Sequence, residues 1–201
     1  MPDQQDAIVK RGRGRPRSAD HDAEIRHAAW QLIAQLGCEG LTFEALAQAV
    51  GCSRSTLYRR FSTKGQLVAT LLNETARSFA PQFEVNAPPR EKLLAHARTL
   101  AAIYTGDRGA GLLHIMASSR RDPEIAAAFE QHSALVEPHY FAPLRQLVPE
   151  AGEKALGLAS HSLMGSMIHH LASRRQILSE REIEHLVDAS IALLRLAAQD
   201  G

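Results

Sequence analysis

The sequence predicts an all-α protein with an N-terminal three-helix head and a C-terminal helical bundle as its body, about nine helices in total. Hydrophobic residues make up 45% of the 201 residues but aromatic residues only 5%, which is typical of packed helices. Apolar residues recur at helical spacing between breaks of Gly and Pro, and no alternating pattern of useful length indicates a strand. Residues 8–64 carry ten Lys/Arg and five Asp/Glu, whereas residues 65–201 carry thirteen and fifteen. A basic head on a slightly acidic body is the charge distribution of a nucleic-acid-binding protein.

The chain begins with a basic arm, residues 1–18, that is too rich in Gly and Pro to form a packed element. Its five cations are Lys10, Arg11, Arg13, Arg15 and Arg17. Cations on an extended backbone suit the minor groove of DNA, and the Gly-Arg-Pro core resembles an AT-hook. We therefore predict that these five cations form an arm that binds the minor groove. The alternative is a solvated tail that adds only nonspecific affinity for DNA.

The first helix is predicted over residues 25–36 and ends at Gly37. Its apolar stripe consists of Ile25, Ala28, Ala29, Leu32, Ile33 and Leu36. Trp30 lies off this stripe, so we expect it to pack beneath the body rather than inside the head.

Residues 42–64 have the pattern of two short helices joined by a tight turn. Thr42 and Ser53 are predicted N-caps, because their hydroxyls can accept hydrogen bonds from amides of the first turn. Gly51 stands where the chain must leave the first of these helices in a left-handed conformation. The first of these two short helices buries a stripe of Phe43, Leu46, Ala47 and Val50. The second short helix is anchored in the head by Leu57 and Phe61. Residues 63–66 then match the capping box of a further helix.

The outer face of the second short helix carries hydroxyls, an aromatic ring and arginines, which a helix that only packs in a core would not need. This is the layout of a DNA-reading helix-turn-helix. We predict that bases are read by Arg54, Ser55, Tyr58 and Arg59. Phosphates are predicted to be held by Thr42, Ser53, Thr56, Tyr58, Arg60 and Lys64.

These motifs resemble the DNA-binding domain of the TetR (tetracycline repressor) family of bacterial transcriptional regulators. The likeness rests on the first helix, on Gly37-x-x-Gly40-Leu41-Thr42, and on Ala47-x-x-Val50-Gly51-x-Ser53-x-x-Thr56-Leu57-Tyr58-x-x-Phe61-x-x-Lys64. It covers roughly the first 80 residues. Two departures are Cys52, where the family more often has an aliphatic residue, and Arg60, where an aromatic residue or His is common.

The resemblance implies a homodimer on a palindromic double-stranded DNA operator, with a small-molecule effector in the body that alters the spacing of the two heads. We therefore expect three parts. Residues 1–18 form a flexible basic arm, residues 19–66 a helix-turn-helix DNA-binding domain, and residues 67–201 a ligand-binding and dimerisation domain.

The body contains six predicted helical segments, the first of which leaves the head and could act as a lever. They span residues 64–80, 91–104, 110–118, 123–148 (bent near Pro138 and Pro143), 153–174 and 180–199. The last helix is apolar over more than one face, and the one before it is rich in small residues, so we predict that the pair forms a self-complementary four-helix dimer contact. The alternative is that both helices only close a monomeric core.

No motif of an enzyme is visible, neither a phosphate-binding loop nor a zinc-protease or serine-hydrolase signature, so we expect no catalytic residues, no cofactor and no metal site. The two cysteines, Cys38 and Cys52, are expected to be packing residues. No signal peptide or membrane span is apparent, which predicts a cytoplasmic protein with no membrane partner. A ligand cavity could be lined by residues on apolar helix faces, namely His114, Met116, Phe129, Tyr140, His161, Met164 and Met167.

The favoured interpretation is therefore a homodimeric, ligand-responsive transcriptional repressor that binds a discrete operator. An AT-hook-like architectural DNA-binding protein would bind without such an operator. A helical ligand-binding protein without a regulatory role is a further alternative, which an activity screen would test.

Overall fold

The computed structural model describes residues 17–78, 83–84, 86–174 and 176–199. Over these residues the chain forms nine α-helices, one π-helical turn and no strand, which confirms the predicted all-α class. The elements are α1 (Arg17–Gly40), α2 (Phe43–Val50), α3 (Arg54–Tyr58), α4 (Lys64–Ser78), α5 (Pro89–Tyr104), α6 (Asp107–Ser118), α7 (Pro123–Leu147), α8 (Glu153–Ile168), the π turn (His169–Ser173) and α9 (Glu180–Ala197). Of the predicted arm, Lys10, Arg11, Arg13 and Arg15 lie outside the described residues, and Arg17 is the first residue of α1.

The head consists of α1, α2 and α3 around a small apolar core. Ile25 and Ile33 of α1 are fully buried together with Leu46 of α2 and Leu57 of α3. Burial of one such side chain contributes roughly 1.5–3 kcal/mol, so these contacts set the angle between the three helices.

Helix α1 is interrupted at Gly37, which has φ 72 and ψ 179. This supports the predicted end of the first helix, because a residue with a side chain rarely adopts such a φ. The prediction that Leu36 belongs to the buried stripe is wrong, since Leu36 is 60% exposed. Its side chain lies beside the backbone of Gly40 rather than in the core.

The head is joined to the body by the packing of α1 on α6. Trp30 is only 4% exposed, and its ring edge approaches Gly111 so closely that a Cβ there would lie 2.6 Å from Cε3. The expectation that Trp30 packs beneath the body is thus confirmed, and a glycine in α6 makes this close approach sterically feasible.

Helix α4 leaves the head and packs along α7 in the body. Its buried side consists of Leu67, Val68, Leu71 and Leu72. The carbonyl oxygen of Leu72 lies 3.1 Å from Nδ1 of the buried His132, and burial lowers the pKa of this histidine. A neutral imidazole with Nδ1–H would donate to that carbonyl and tie α7 to α4.

Helices α8 and α9 pack against each other. The buried hydroxyl of Ser190 donates to the carbonyl of Ala159 at 2.8 Å. One apolar face of the last helix is buried in the core, and it consists of Ile183, Val187, Ile191 and Leu194. The predicted continuous helix over 153–174 instead widens into the π turn after Ile168.

No helix within the described ranges is both long enough and apolar enough to cross a membrane.

Candidate nucleic-acid interface

The turn between α2 and α3 is built as the sequence predicts. Thr42 caps α2, with its Oγ1 accepting from the amide of Ala45 at 3.0 Å. Gly51 ends α2 in the left-handed region with φ 71. Ser53 caps α3 and accepts from the amide of Thr56 at 3.2 Å. These local bonds satisfy backbone groups that each short helix would otherwise leave unpaired.

Helix α3 is shorter than the sequence pattern predicts, because its regular part ends at Tyr58. The amides of Arg60 and Phe61 both donate to the carbonyl of Leu57, each at 2.9 Å, so the chain tightens into a turn there. Leu57 and Phe61 are nevertheless both buried, as predicted, and they fix α3 onto the head from the inside.

The outer side of α3 is open to solvent. All four predicted base-reading residues are exposed and share this side, namely Arg54, Ser55, Tyr58 and Arg59. Tyr58 is 59% exposed and stands edge-on to the ring of Phe43 in α2, with 4.7 Å between centroids and 79° between planes. Phe43 thus braces Tyr58, so that its ring projects from the surface with a restricted orientation.

The two exposed arginines have only weak partners within the head. Nη1 of Arg54 lies 3.9 Å from Oε2 of Glu44, and both side chains are largely in solvent. Nη2 of Arg59 donates to Oγ1 of Thr56 at 3.4 Å. Contacts of this length in water contribute little free energy, so both guanidinium groups can turn toward another acceptor.

Three of the residues predicted to hold phosphates have hydroxyl groups near the start of a short helix, namely Thr42, Ser53 and Thr56. Ser53 Oγ lies 2.8 Å from Oγ of Ser55 and 2.9 Å from Oγ1 of Thr56. The hydroxyls of Thr42 and Ser53 already accept from backbone amides as caps, so either could offer only its O–H to a phosphate.

Arg60, another predicted phosphate contact, is held inside the head. Its Nε donates to Oδ1 of Asp22 in α1 at 2.5 Å, and its Nη1 donates to the carbonyl of Thr56 at 3.3 Å. Asp22 therefore competes with any phosphate for this guanidinium. Sequence reasoning missed Asp22, because the 38 residues between the partners leave no local signal.

Lys64 lies at the junction of head and body rather than on the outer face of α3. Its Nζ donates to the carbonyl of Cys38 at 3.4 Å and lies 3.6 Å from Oδ2 of Asp122. Beside it, the amide of Gly65 donates to Oε2 of Glu124 at 3.2 Å. The start of α4 thus receives an acidic side chain of α7 where a phosphate was predicted. The Asp122-Pro123-Glu124 start of α7 was the available signal, since it places two carboxylates at one helix end.

Cys38 belongs to this junction as a buried packing residue. Burial raises the pKa of its thiol, which the neighbouring Ser118 partly offsets, so the thiol is protonated at neutral pH.

The seven residues predicted to line a ligand cavity differ widely in burial, and their shared role stays a prediction. Tyr140 and Met167 are buried in the core, whereas Met116 and His161 are exposed. Phe129 and Met164 pack partly buried against the core. His114 alone of the seven lines a described cavity, about 630 Å³ in volume, bordered by α1, α6 and the π turn. Helical spacing showed that these residues share apolar faces but not which faces meet.

Comparison with known proteins places the helix-turn-helix in one family. Residues 25–71 match the family described as bacterial regulatory proteins, tetR family. An HTH-type transcriptional regulator of Bacillus subtilis (strain 168), YdeS, which is described as uncharacterized, is 24% identical over 117 residues, which cover 58% of this chain and 59% of the relative. The HTH-type transcriptional repressor ComR of Escherichia coli (strain K12) is 34% identical over 89 residues, 44% of this chain and 42% of ComR. The matched segments thus cover less than two thirds of either relative, and both names describe regulators of transcription rather than enzymes.

The fold extends the likeness over nearly the whole chain. The crystal structure of a transcriptional regulator from Rhodococcus sp. Rha1 superposes with a TM-score of 0.68 at 20% identity. The superposition covers 87% of this chain and 95% of that one. At this identity the similarity shows that the body shares the helical architecture, and it carries no information on ligands.

Proposed function

Since this chain belongs to the TetR family of bacterial regulatory proteins, we propose that it is a homodimeric transcriptional repressor that binds a palindromic operator in the cytoplasm and is released by a small molecule. The observation that carries the proposal is the outer side of α3. Two arginines, a serine and a braced tyrosine are exposed there on a helix whose inner side is buried. Side chains of these types can form hydrogen bonds with the edges of bases in the major groove.

In this proposal Arg54, Ser55, Tyr58 and Arg59 read bases. Thr42, Ser53 and Thr56 contact phosphates through their hydroxyls, with Tyr58 able to serve either role. Arg60 and Lys64 reach phosphates only by leaving Asp22 and Asp122, respectively. The basic arm adds cations ahead of α1, which increases affinity for DNA whether or not they enter the minor groove.

The dimer is proposed to form through the outward sides of α8 and α9. Leu158 on α8 and Leu196 on α9 are 53% and 62% exposed, although both are large apolar residues. Small exposed residues, Gly165, Ala189 and Ala192, accompany them and permit close helix approach. A two-fold contact would cover these leucines and would set the separation of the two reading helices.

The proposal is tested by selecting binding sites from random DNA with the purified protein and measuring affinity for the selected site. Arg59→Ala and Arg54→Ala should each cost about 1–3 kcal/mol and should relax the preference at one operator position, if the guanidinium is bidentate to guanine. Arg120→Ala, which removes an exposed arginine of the body, is the matched control and should leave the preference unchanged. Failure to select any discrete site would instead indicate an architectural DNA-binding protein, and wild-type behaviour of both head variants would contradict the assignment of α3.

A further inference from the structure

A cavity of about 610 Å³ lies where the head meets the body, bordered by α1, α4, α5 and α6. It shares no residue with the set that the sequence suggested for a ligand. Its volume falls in the range of about 300–1,000 Å³ that is usual for small-molecule sites. It is lined by Ala23, Arg26, His27, Trp30, Gln31, Glu74, Thr99, Ala102, Ile103, Gly106 and Arg108.

The wall of this cavity contains a buried hydrogen-bond donor without an acceptor. Trp30 is 4% exposed, and its Nε1 has no hydrogen-bond partner within the described part of the chain. The opposite edge of the indole packs toward Gly111, so the edge with Nε1 faces away from that helix contact. A buried N–H without an acceptor is costly, so a ligand that brought an acceptor to it would be stabilised there.

The charges around the cavity favour an anion. Arg26 and Arg108 line it together with one carboxylate, Glu74, and the Nε of Arg26 lies 3.2 Å from Oε2 of Glu74. Arg108 makes no ion pair with any described residue. The net charge of these three groups is therefore +1, and the unpaired charge is on Arg108. The guanidinium of an arginine can bind a carboxylate with two parallel hydrogen bonds.

The start of α6 adds to this preference. Gly106, which lines the cavity, is the N-cap of α6 and supplies no side-chain hydrogen bond to the first turn. The free amides and the dipole of a helix start favour negative charge. Ala102, Ile103 and the ring of Trp30 provide apolar wall beside these polar groups.

We propose that this cavity binds a small amphipathic monocarboxylate, with the carboxylate at Arg108 and the start of α6 as an acceptor for the Trp30 N–H, and the apolar part against Ala102 and Ile103. Its regulatory consequence rests on the proposed function. The cavity borders α1 of the head and α5 and α6 of the body, so a bound ligand would contact both parts. Release from DNA would follow if the ligand binds more tightly to an arrangement in which the head is displaced from its DNA-binding position.

Binding is tested without DNA on the purified full chain. Trp30 is the single tryptophan in the sequence, so its emission reports on this cavity. The probes are octanoate and phenylacetate, each compared with its uncharged amide. We expect a saturable change in emission with a carboxylate at millimolar concentration or below, and about tenfold weaker binding of the matching amide.

Arg108→Ala should remove most of this preference for the carboxylate, whereas Arg120→Ala, an exposed arginine beyond the other end of α6, should keep it. Equal binding of acid and amide, no saturable change with either acid, or unchanged selectivity in Arg108→Ala would each overturn the site.

A second measurement adds the binding probe to the complex with the selected DNA site. Loss of DNA affinity in wild type but not in Arg108→Ala supports the effector role. Binding without any effect on DNA affinity would retain the site and contradict that role, and absence of any DNA site would contradict the proposed function alone.

Discussion

Two cations of the head, Arg60 and Lys64, are paired with carboxylates of the protein itself. Arg60 is held by Asp22 within the head, and Lys64 lies beside Asp122 of the body. A phosphate that recruits either cation must displace a carboxylate first. In the proposed complex with DNA, each would therefore add less to affinity than an unpaired cation. The same contacts join Arg60 to α1 and Lys64 to α7.

For Lys64 this leads to a prediction about the salt dependence of DNA binding. A free lysine that neutralises one phosphate adds about 0.9 to the slope of log affinity against log salt. Lys64→Ala should lower the slope by clearly less than this per subunit, because Nζ is shared with Asp122 and the carbonyl of Cys38. In an Asp122→Asn background, which retains an N-cap for α7, the same substitution should have a larger effect. A full loss of slope in the wild-type background would show that Lys64 already contacts DNA.

Tyr140 provides a second prediction at this scale. Its ring is fully buried, burial raises the pKa of its hydroxyl, and that hydroxyl has no hydrogen-bond partner among the described residues. Tyr140→Phe removes the desolvated hydroxyl and keeps the ring, so the free energy of unfolding should rise by about 1 kcal/mol. Denaturant unfolding measures the change, with Tyr58→Phe on the surface as control, for which roughly ±0.5 kcal/mol is expected. Clear destabilisation by Tyr140→Phe would mean that the hydroxyl has a partner after all.

At the scale of elements, α9 is held on α5 by two ion pairs on its exposed side. Arg90 binds Asp188 with two hydrogen bonds of 2.6 and 2.8 Å, and Arg98 binds Glu180. Hydrogen bonds from the arginines lower the pKa of both carboxyl groups. Ser179 and Glu182 form a complete capping box at the start of the same helix. These contacts orient α9 so that Leu196 projects away from the core.

The Arg90–Asp188 pair predicts how stability depends on pH. Because the pKa of Asp188 is lower in the folded state than its ordinary value of 3.8, the pair stabilises the protein above that value. This contribution is lost as the pH falls from 3.8 through the folded-state pKa. Asp188→Asn should therefore be destabilising at pH 7 by about 1 kcal/mol or less, as for exposed pairs, and this difference should vanish in acid. Urea unfolding of both proteins across that range is the measurement, and a difference that persists below the folded-state pKa would contradict this account.

At the scale of the whole molecule, head and body meet through two sets of contacts. Helix α1 packs on α6 around Trp30 and Gly111, and the start of α4 meets α7 at Gly65 and Glu124. A Cβ at position 65 would lie 2.6 Å from the Cβ of Glu124, so the second contact also depends on a glycine. Helices α6 and α7 of the body are thus in direct contact with α1 and α4, the helices on either side of α2 and α3 in the chain.

The proposed dimer gives a prediction at this scale. Leu158→Glu and Leu196→Glu should convert the protein to monomers, because each places a charge in the contact between α8 and α9 of two copies. Leu135→Glu on α7 is the matched control, since Leu135 is 48% exposed but lies on another helix. Sedimentation velocity measures the oligomeric state, and affinity for a palindromic site should fall together with dimerisation. Dimers that resist both substitutions would place the interface elsewhere.

The sequence alone determined the features that depend on neighbouring residues. Caps at Thr42 and Ser53, the left-handed Gly51 and the break at Gly37 were all predictable, because their hydrogen bonds and dihedral angles involve residues only a few positions apart. The exposed face of α3 was predictable for the same reason, since helical spacing separates it from the anchors Leu57 and Phe61. Together these local features carry the resemblance to the TetR family and the prediction that α3 reads DNA.

Only the tertiary structure decided which distant groups meet. Asp22 and Arg60 lie 38 positions apart and Gly65 and Glu124 lie 59 apart, and no spacing rule connects such pairs. The cavity at Trp30 is formed by four helices, so its lining depends on how those helices cross. The seven residues expected around a ligand stay a prediction for the same physical reason. Periodicity shows which side of a helix is apolar, whereas packing against the other helices decides whether that side borders a cavity, the core or solvent.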